Sequence, residues 1–321
     1  MKGLGDYGVH APSGGGGDYD PLFLSGCLVA IAGLWLARSQ SERFREMLVR
    51  LADRGALESD GQRIERERLD SMHTAVQERA ERWAWYAGAA LALVIASSFI
   101  AANGIQGNVV VALGGPLVGA AGGLLVGRKI GHMIACSFVQ RSLAAHKISF
   151  RTKPGHIDGA AGLKPLGDYY LYQALLLAIP AAFLLSWSLI FLNDAWDRYY
   201  GGWRESYLWL LALAIAIELA AFVAPLWRVH EEMRTQKRHA IERADRDLGP
   251  GIAAARETLE QDLDNDRRTA VRDQLEQLKS SYRDIEAMPT WPLDRKLRRQ
   301  LTLTNVALIV PLVGQVADLG R

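Results

Sequence analysis

Residues 84–127 read AWYAGAALALVIASSFIAANGIQGNVVVALGGPLVGAAGGLLVG and contain no charged side chain. A helix needs about 20 mostly apolar residues to cross the roughly 30 Å hydrocarbon core of a bilayer. This stretch is long enough for two crossings, and the uncharged polar sequence NGIQGN at 103–108 divides it near its middle. The stretch therefore predicts two transmembrane helices joined by a short loop.

Three further apolar stretches occur in the chain, which gives five predicted spans in all. Backbone that is not helical cannot satisfy its hydrogen bonds in lipid, so each span is expected to be a helix. The sequence thus predicts an all-α integral membrane protein with five transmembrane helices. The spans are predicted at 21–37, 84–102, 109–127, 169–192 and 207–227, after a disordered glycine-rich tail at 1–20.

The charges between the spans predict how the chain is threaded. Residues 38–83 contain ten arginines and residues 128–168 contain seven Lys or Arg, whereas 103–108 contain none and 193–206 contain two arginines against three acids. Lys and Arg are retained on the cytoplasmic side of a membrane. We therefore expect an inner (plasma) membrane protein with its N-terminus outside and its C-terminal helices in the cytoplasm.

Composition excludes several functional classes. The formal net charge is only +2, so the chain has no general attraction for nucleic acid. The two cysteines, Cys27 and Cys136, lie in apolar surroundings and do not form a disulfide framework. No phosphate-binding loop, zinc-protease motif or serine-hydrolase motif is present, so we predict no catalytic residues, no metal site, no cofactor and no enzymatic activity.

The charged segments have helical periodicity. Residues 38–83 predict a cytoplasmic helical hairpin, with a turn around 54–62, whose second arm continues into the second span. Residues 128–168 predict a helix ending near Ala145 and then a loop. Residues 228–290 predict charged helices broken at Gly249-Pro250-Gly251.

The last charged helix, of about 35 residues after this break, has a heptad pattern typical of a coiled coil. Its apolar positions are Val271, Leu275, Leu278, Tyr282 and Ile285. This face is expected to pack either on the helices of its own chain or on another molecule. Residues 251–288 are therefore a candidate surface for a cytoplasmic protein partner.

Glycines recur at every fourth position of the third span and form a glycine zipper. Positions four apart lie on one face of a helix, and small residues there let another helix approach closely. The partner is expected to be either a helix of the same subunit or a second subunit around a pore, in a homo-oligomer. The series consists of Gly115, Gly119, Gly123, Gly127 and Gly131.

Glu218 lies 11 residues into the 21-residue fifth span, close to the middle of the bilayer. A carboxylate at a helix centre there costs about 2.5 to 3.5 kcal/mol. Two alternatives follow: a protonated carboxyl hydrogen-bonded across helices, or a group lining a water-filled path that binds a proton or a cation.

The loop before the fourth span contains His156 and Asp158, which are candidate metal ligands or an acid–base pair. The residues considered as a third partner of this pair are His132, His146 and Asp168. None of them lies at a sequence spacing that is typical of such a site. Ordinary turn chemistry is the alternative, in which Asp158 caps the backbone and Gly159 takes a positive φ.

The sequence His156-Ile-Asp-Gly-Ala-Ala-Gly-Leu before a transmembrane hairpin, followed later by Met288-Pro-Thr-Trp-Pro before a final apolar run, resembles uncharacterised bacterial multipass helical membrane proteins. The resemblance covers about residues 150–316. It implies that the His/Asp loop and the Pro-Thr-Trp-Pro turn form one module.

The segment 291–321 is expected to be re-entrant or interfacial, because its apolar run at 301–316 is short and contains Asn305 and Pro311. Four basic residues precede this run and favour an anionic membrane surface. They are Arg295, Lys296, Arg298 and Arg299.

Three functional hypotheses follow. The leading one is an oligomeric inner-membrane pore or channel-like protein, gated or organised by its cytoplasmic helices, with the lipid bilayer and a second copy of itself as partners. The second is a non-conducting membrane scaffold or sensor that docks a cytoplasmic partner. The third is a proton-coupled carrier that uses Glu218.

Overall fold

The computed structural model of the chain describes residues 21–59, 62–103, 109–190, 194–261 and 264–294, together with residues 299, 302, 303, 306 and 310. The predicted tail at 1–20 and most of the predicted segment at 301–316 lie outside the described residues. Nine α-helices make up most of the described chain. They are α1 (Pro21–Ala37), α2 (Gln40–Asp53), α3 (Arg66–Asn103), α4 (Val109–Ser137), α5 (Val139–Ala145), α6 (Lys164–Ile190), α7 (Asp194–Asp247), α8 (Gly249–Glu260) and α9 (Asn265–Glu286).

A small antiparallel sheet lies between the charged helices. Its strands are β1 (Leu57–Ser59), β2 (Gln62–Arg63) and β3 (Ile148–Phe150), in the order β2-β1-β3. Leu57 pairs with Phe150, and both side chains are buried. The sequence predicted only a turn around 54–62, and this was wrong because strands of two or three residues are too short to show an alternating pattern.

Three helical stretches are long and apolar enough to cross a membrane, namely Arg66–Ile100, Lys164–Ile190 and Tyr207–Glu260. They overlap three of the five predicted spans, those at 84–102, 169–192 and 207–227. Helix α1 coincides with the predicted span at 21–37, and α4 begins where the span at 109–127 was predicted to begin. The chain is therefore helical, with three candidate membrane-spanning helices.

The charged ends of the helices meet in one hydrophobic core. This core includes Phe44 of α2, Met72 of α3, Leu143 of α5 and Leu226 of α7, all with 2% or less of their surface exposed. Met288, after α9, belongs to the same core. The basic segments from distant parts of the sequence therefore lie together at one end of the apolar helices.

Three predicted boundaries were wrong. The segment 193–206, predicted as a loop, is helical from Asp194 onward. The helix predicted to continue to Ala145 is interrupted at Phe138, between α4 and α5. The final helix of about 35 residues is two helices, because Gln261 has an extended backbone and Asp264 starts a new helix by accepting a hydrogen bond from the Asn265 N–H.

Candidate functional site

The glycine face of α4 packs against α3 of the same chain. A methyl group added at Gly127 would lie 2.6 Å from the carbonyl oxygen of Ala87 and 2.7 Å from Cα of Gly88. One added at Gly123 would lie 2.9 Å from Cα of Ala92. These distances are too short for a side chain, so the two helix backbones meet because glycine is present.

The rest of the series has the same neighbour. Gly119 and Gly115 lie against the ring of Phe99, and Gly131 lies against the backbone at Trp83. Gly122 is beside the series in sequence but has open space within 4 Å of the position a methyl group would take. Of the two partners considered for this face, the structure places a helix of the same subunit there.

The loop between β3 and α6 is organised by the Asp158 carboxylate. Oδ1 accepts hydrogen bonds from the N–H groups of Ala160 at 2.9 Å and Gly162 at 3.0 Å. Oδ2 accepts a hydrogen bond from the Arg54 guanidinium at 2.9 Å, and Nδ1 of His156 lies 2.9 Å from Oδ1. All these contacts hold the loop in shape and tie it to the end of α2.

These contacts also set the charge of Asp158, whose side chain is only 6% exposed. Burial alone would raise the pKa of its carboxyl group. The N–H groups of Ala160 and Gly162 and the neighbouring His156 outweigh burial and hold the pKa below its usual value. The carboxylate is therefore ionised at neutral pH.

The backbone of this loop is tightly wound. Gly155, Gly159 and Gly162 have positive φ angles of 67°, 63° and 89°, and the buried Ala161 also has a positive φ of 54°. Positive φ costs an alanine about 1 to 2 kcal/mol, so the surrounding contacts must hold it in place. The local sequence gives the loop its turns, whereas Arg54 holds it from another element.

Three residues were considered as further metal ligands beside His156 and Asp158. His132 and His146 make contacts with other residues, and Asp168 does not form a metal-binding group with the two. Nε2 of His132 lies 3.2 Å from Glu81, and Nδ1 of His146 lies 2.8 Å from the carbonyl oxygen of Ser142. Asp168 follows within α6. In the part of the chain that the structure describes, no three His, Cys, Asp or Glu side chains are placed to hold a metal ion.

The Pro-Thr-Trp-Pro turn lies against the start of α6. Gly167 faces the carbonyl oxygen of Pro292 so closely that a methyl group would not fit, and Lys164 donates to Asp294 at 2.7 Å. The Trp291 ring stacks on His230 of α7, with ring centres 4.4 Å apart. The structure therefore brings the turn and the end of the His/Asp loop together on one end of α6.

Helix α7 holds the same region in place through Gln236, a residue that no sequence pattern predicted. Its amide oxygen accepts hydrogen bonds from both the N–H and the hydroxyl of Thr152, and its amide nitrogen donates to the Phe150 carbonyl. One glutamine thus joins α7, β3 and the loop. A single glutamine on a charged helix has no sequence signal for this role, because the contact spans 84 residues.

Glu218 is buried within the apolar part of α7. Its side chain is 1% exposed, and neither carboxyl oxygen has a hydrogen-bond partner among the described residues. Its neighbours along α7, Ile215 and Ala221, pack against apolar side chains of α6. The hydroxyl groups of serines 97, 98, 186 and 188, in the apolar parts of α3 and α6, donate to carbonyl oxygens within their own helices.

The α8–α9 pair extends from the end of α7. Leu278 of α9 rests on Gly251 of α8, and the Tyr282 hydroxyl donates to Asp245 of α7 at 2.9 Å. Leu275 is the one buried residue of α9. The apolar seam of α9 therefore packs on its own chain, and its opposite, charged face is exposed.

Of the basic residues after the turn, Arg299 is helical and exposed. Arg295, Lys296 and Arg298 lie outside the described residues. Comparison of the chain with protein-family models, with curated proteins and with solved structures returned no match.

Proposed function

We propose that the chain is an inner-membrane scaffold that conducts no ions and docks a cytoplasmic protein through α8 and α9. In this proposal α1 and α4 cross the bilayer together with α3, α6 and α7, and the N-terminus is outside. The lipid bilayer, a second copy of the chain and one cytoplasmic protein are its partners.

The observation that carries the proposal is the single hydrophobic core at the charged end of the helices. Side chains of α2, α3, α5, α6 and α7 all enter it. Helices packed in this way hold the charged segments at fixed positions relative to the membrane. Such a platform suits a protein that presents a binding surface, and it leaves α8 and α9 outside the core.

The contacts of α4 favour a scaffold over a pore. The glycine face was the main reason to expect a pore-lining helix, and α3 covers this face. Only 11% of the most apolar stretch of α3 is buried by the rest of the chain, against 50% in α6. Its outer surface is therefore free for lipid or for a second copy of the chain.

Two measurements on the purified protein in liposomes test the absence of conduction. We expect ion flux equal to that of empty liposomes, for the wild type and for Gly123→Leu. A flux that depends on the protein and is lost in Gly123→Leu would contradict the scaffold and support the pore.

Docking is tested with a photo-crosslinking amino acid placed at Arg272, which is exposed on α9. We expect one discrete cross-linked protein in cells. The matched control is Arg50, which is exposed on α2. The same product from both positions, or none from any exposed position of α8 and α9, would contradict docking through this pair.

A further inference from the structure

Two arginines share one aromatic ring at the charged end of the membrane helices. The guanidinium carbon of Arg141 lies 5.1 Å from the ring centre of Phe138, and that of Arg228 lies 5.7 Å from the same centre. Both distances are within the range of cation–π contacts. Two positive charges beside one ring repel each other, so an anion that pairs with both guanidinium groups would be stabilised.

No carboxylate of the described chain fills this position. Neither Arg141 nor Arg228 forms an ion pair with a described residue, and Glu232, one turn beyond Arg228, accepts a hydrogen bond from Gln236. Arg128 shows the contrast, since it lies 4.7 Å from the Trp85 ring centre and also pairs with Glu81 at 3.1 Å. The Arg141–Arg228 pair thus has positive charge that the described residues leave uncompensated.

A shallow, open apolar groove runs along one face of α7 to Arg228, and all the residues that line it belong to this helix. The residues from Leu219 to Arg228 extend for about 14 Å along the helix, close to the thickness of one leaflet of the hydrocarbon core. The groove is lined by Leu219, Ala220, Val223, Ala224, Trp227 and Arg228.

We propose that an anionic phospholipid of the inner leaflet binds at this place. Its phosphate pairs with the guanidinium groups of Arg141 and Arg228, and one acyl chain lies along the groove of α7. Basic pockets beside membrane helices on the cytoplasmic side recognise anionic headgroups in this manner. The site is independent of the docking proposed for α8 and α9.

The test measures lipid retained by the purified full chain, by native mass spectrometry in the presence of phosphatidylglycerol or phosphatidylcholine. We expect one tightly retained phosphatidylglycerol and a preference of at least about tenfold over phosphatidylcholine. The double variant Arg141→Gln, Arg228→Gln should lose this preference by about tenfold while keeping its melting temperature. Unchanged retention in a folded double variant would overturn the proposal.

Arg38→Gln is the matched control, because Arg38 also lies over an aromatic ring, 4.5 Å from the centre of Trp35, but not beside the groove. We expect it to retain phosphatidylglycerol as the wild type does. An equal loss in this control would show general attraction to the membrane surface and would overturn the site.

Two further arms identify what occupies the groove. Ala224→Trp fills the groove and should lower phosphatidylglycerol retention about tenfold, whereas a lowered melting temperature with unchanged retention would show that protein occupies the groove.

Inorganic phosphate should not displace the lipid. Displacement by phosphate at equal concentration would show an anion site without an acyl chain and would contradict the proposal.

Discussion

The ionised carboxylate of Asp158 holds the whole His/Asp loop in its folded shape. Its pKa in the folded protein lies below the unfolded value of about 3.9. The ionised carboxylate therefore stabilises the fold fully above that unfolded value, and this contribution is lost as the pH falls through the folded pKa. Its partners are two backbone N–H groups, His156 and Arg54.

We predict that Asp158→Asn lowers the free energy of unfolding by about 2 kcal/mol at pH 7, because both oxygens of Asp158 accept hydrogen bonds, whereas an amide has only one acceptor oxygen and its NH2 group would face a donor. The difference from the wild type should shrink as the pH is lowered below 4. Denaturant unfolding at several pH values measures it, with Asp266→Asn, exposed on α9, as the control. An equal difference at every pH would contradict the role of the ionised carboxylate.

The second prediction concerns the protonation state of the Glu218 side chain. A charged carboxylate in the membrane is costly, and this one has no partner among the described residues, so we expect the neutral acid. An apolar carbodiimide reacts with neutral carboxyl groups in membranes and should modify the wild type but not Glu218→Gln. The variant should fold normally, since an amide of the same shape replaces the acid.

Peptide mapping by mass spectrometry locates the modification. Glu257 on α8 provides the contrast, because it is exposed to water and should not react with the apolar reagent. Equal modification of Glu257 and Glu218, or none at Glu218, would show that the carboxyl group of Glu218 is not held neutral in the apolar layer.

The packing of α3 on α4 depends on the glycine series of α4. We predict that Gly127→Ala destabilises the protein by about 2 kcal/mol, because a methyl group would meet the backbone of Ala87 and Gly88. Gly122→Ala, on the same helix with open space around it, should change stability by less than about 0.5 kcal/mol. Thermal unfolding in detergent measures both variants.

Equal stability of the two variants would show that α3 and α4 can separate slightly without cost. A change of oligomeric state in Gly127→Ala without loss of stability would instead place a second subunit on this face. The two results are distinguished by measuring the molar mass of each variant in detergent.

Element boundaries could be predicted where hydrophobicity alone sets them. Helix α1 has the predicted limits, 21–37, and α3 runs from its charged half into its apolar half as expected. The interruption at Phe138 and the division between α8 and α9 were not predicted. Both follow from local backbone conformation and capping, which a pattern of apolar residues does not report.

The threading of the whole molecule gives the last prediction. With Cys27 replaced by alanine, Ser280→Cys should react with a membrane-impermeant maleimide only from the cytoplasmic side, because Ser280 is exposed on α9. Asn103→Cys, at the end of α3, should react only from the opposite side. The buried Cys136 should remain unmodified in intact protein.

Labelling of both positions from the same side would contradict the alternation of the helices across the membrane. Labelling of Ser280→Cys from outside alone, and of Asn103→Cys from inside alone, would reverse the orientation. The measurement requires only intact cells and inside-out vesicles.

The sequence by itself determined that this protein is helical and that its apolar and charged residues occupy separate segments, because lipid and water select residue types along the chain before any tertiary contact forms. Only the tertiary structure decided what the singled-out residues contact. It placed α3 on the glycine face, Arg54 on Asp158 and no described partner on Glu218. Such contacts join residues up to about 100 positions apart, and their partners depend on how the helices pack, which local periodicity does not specify.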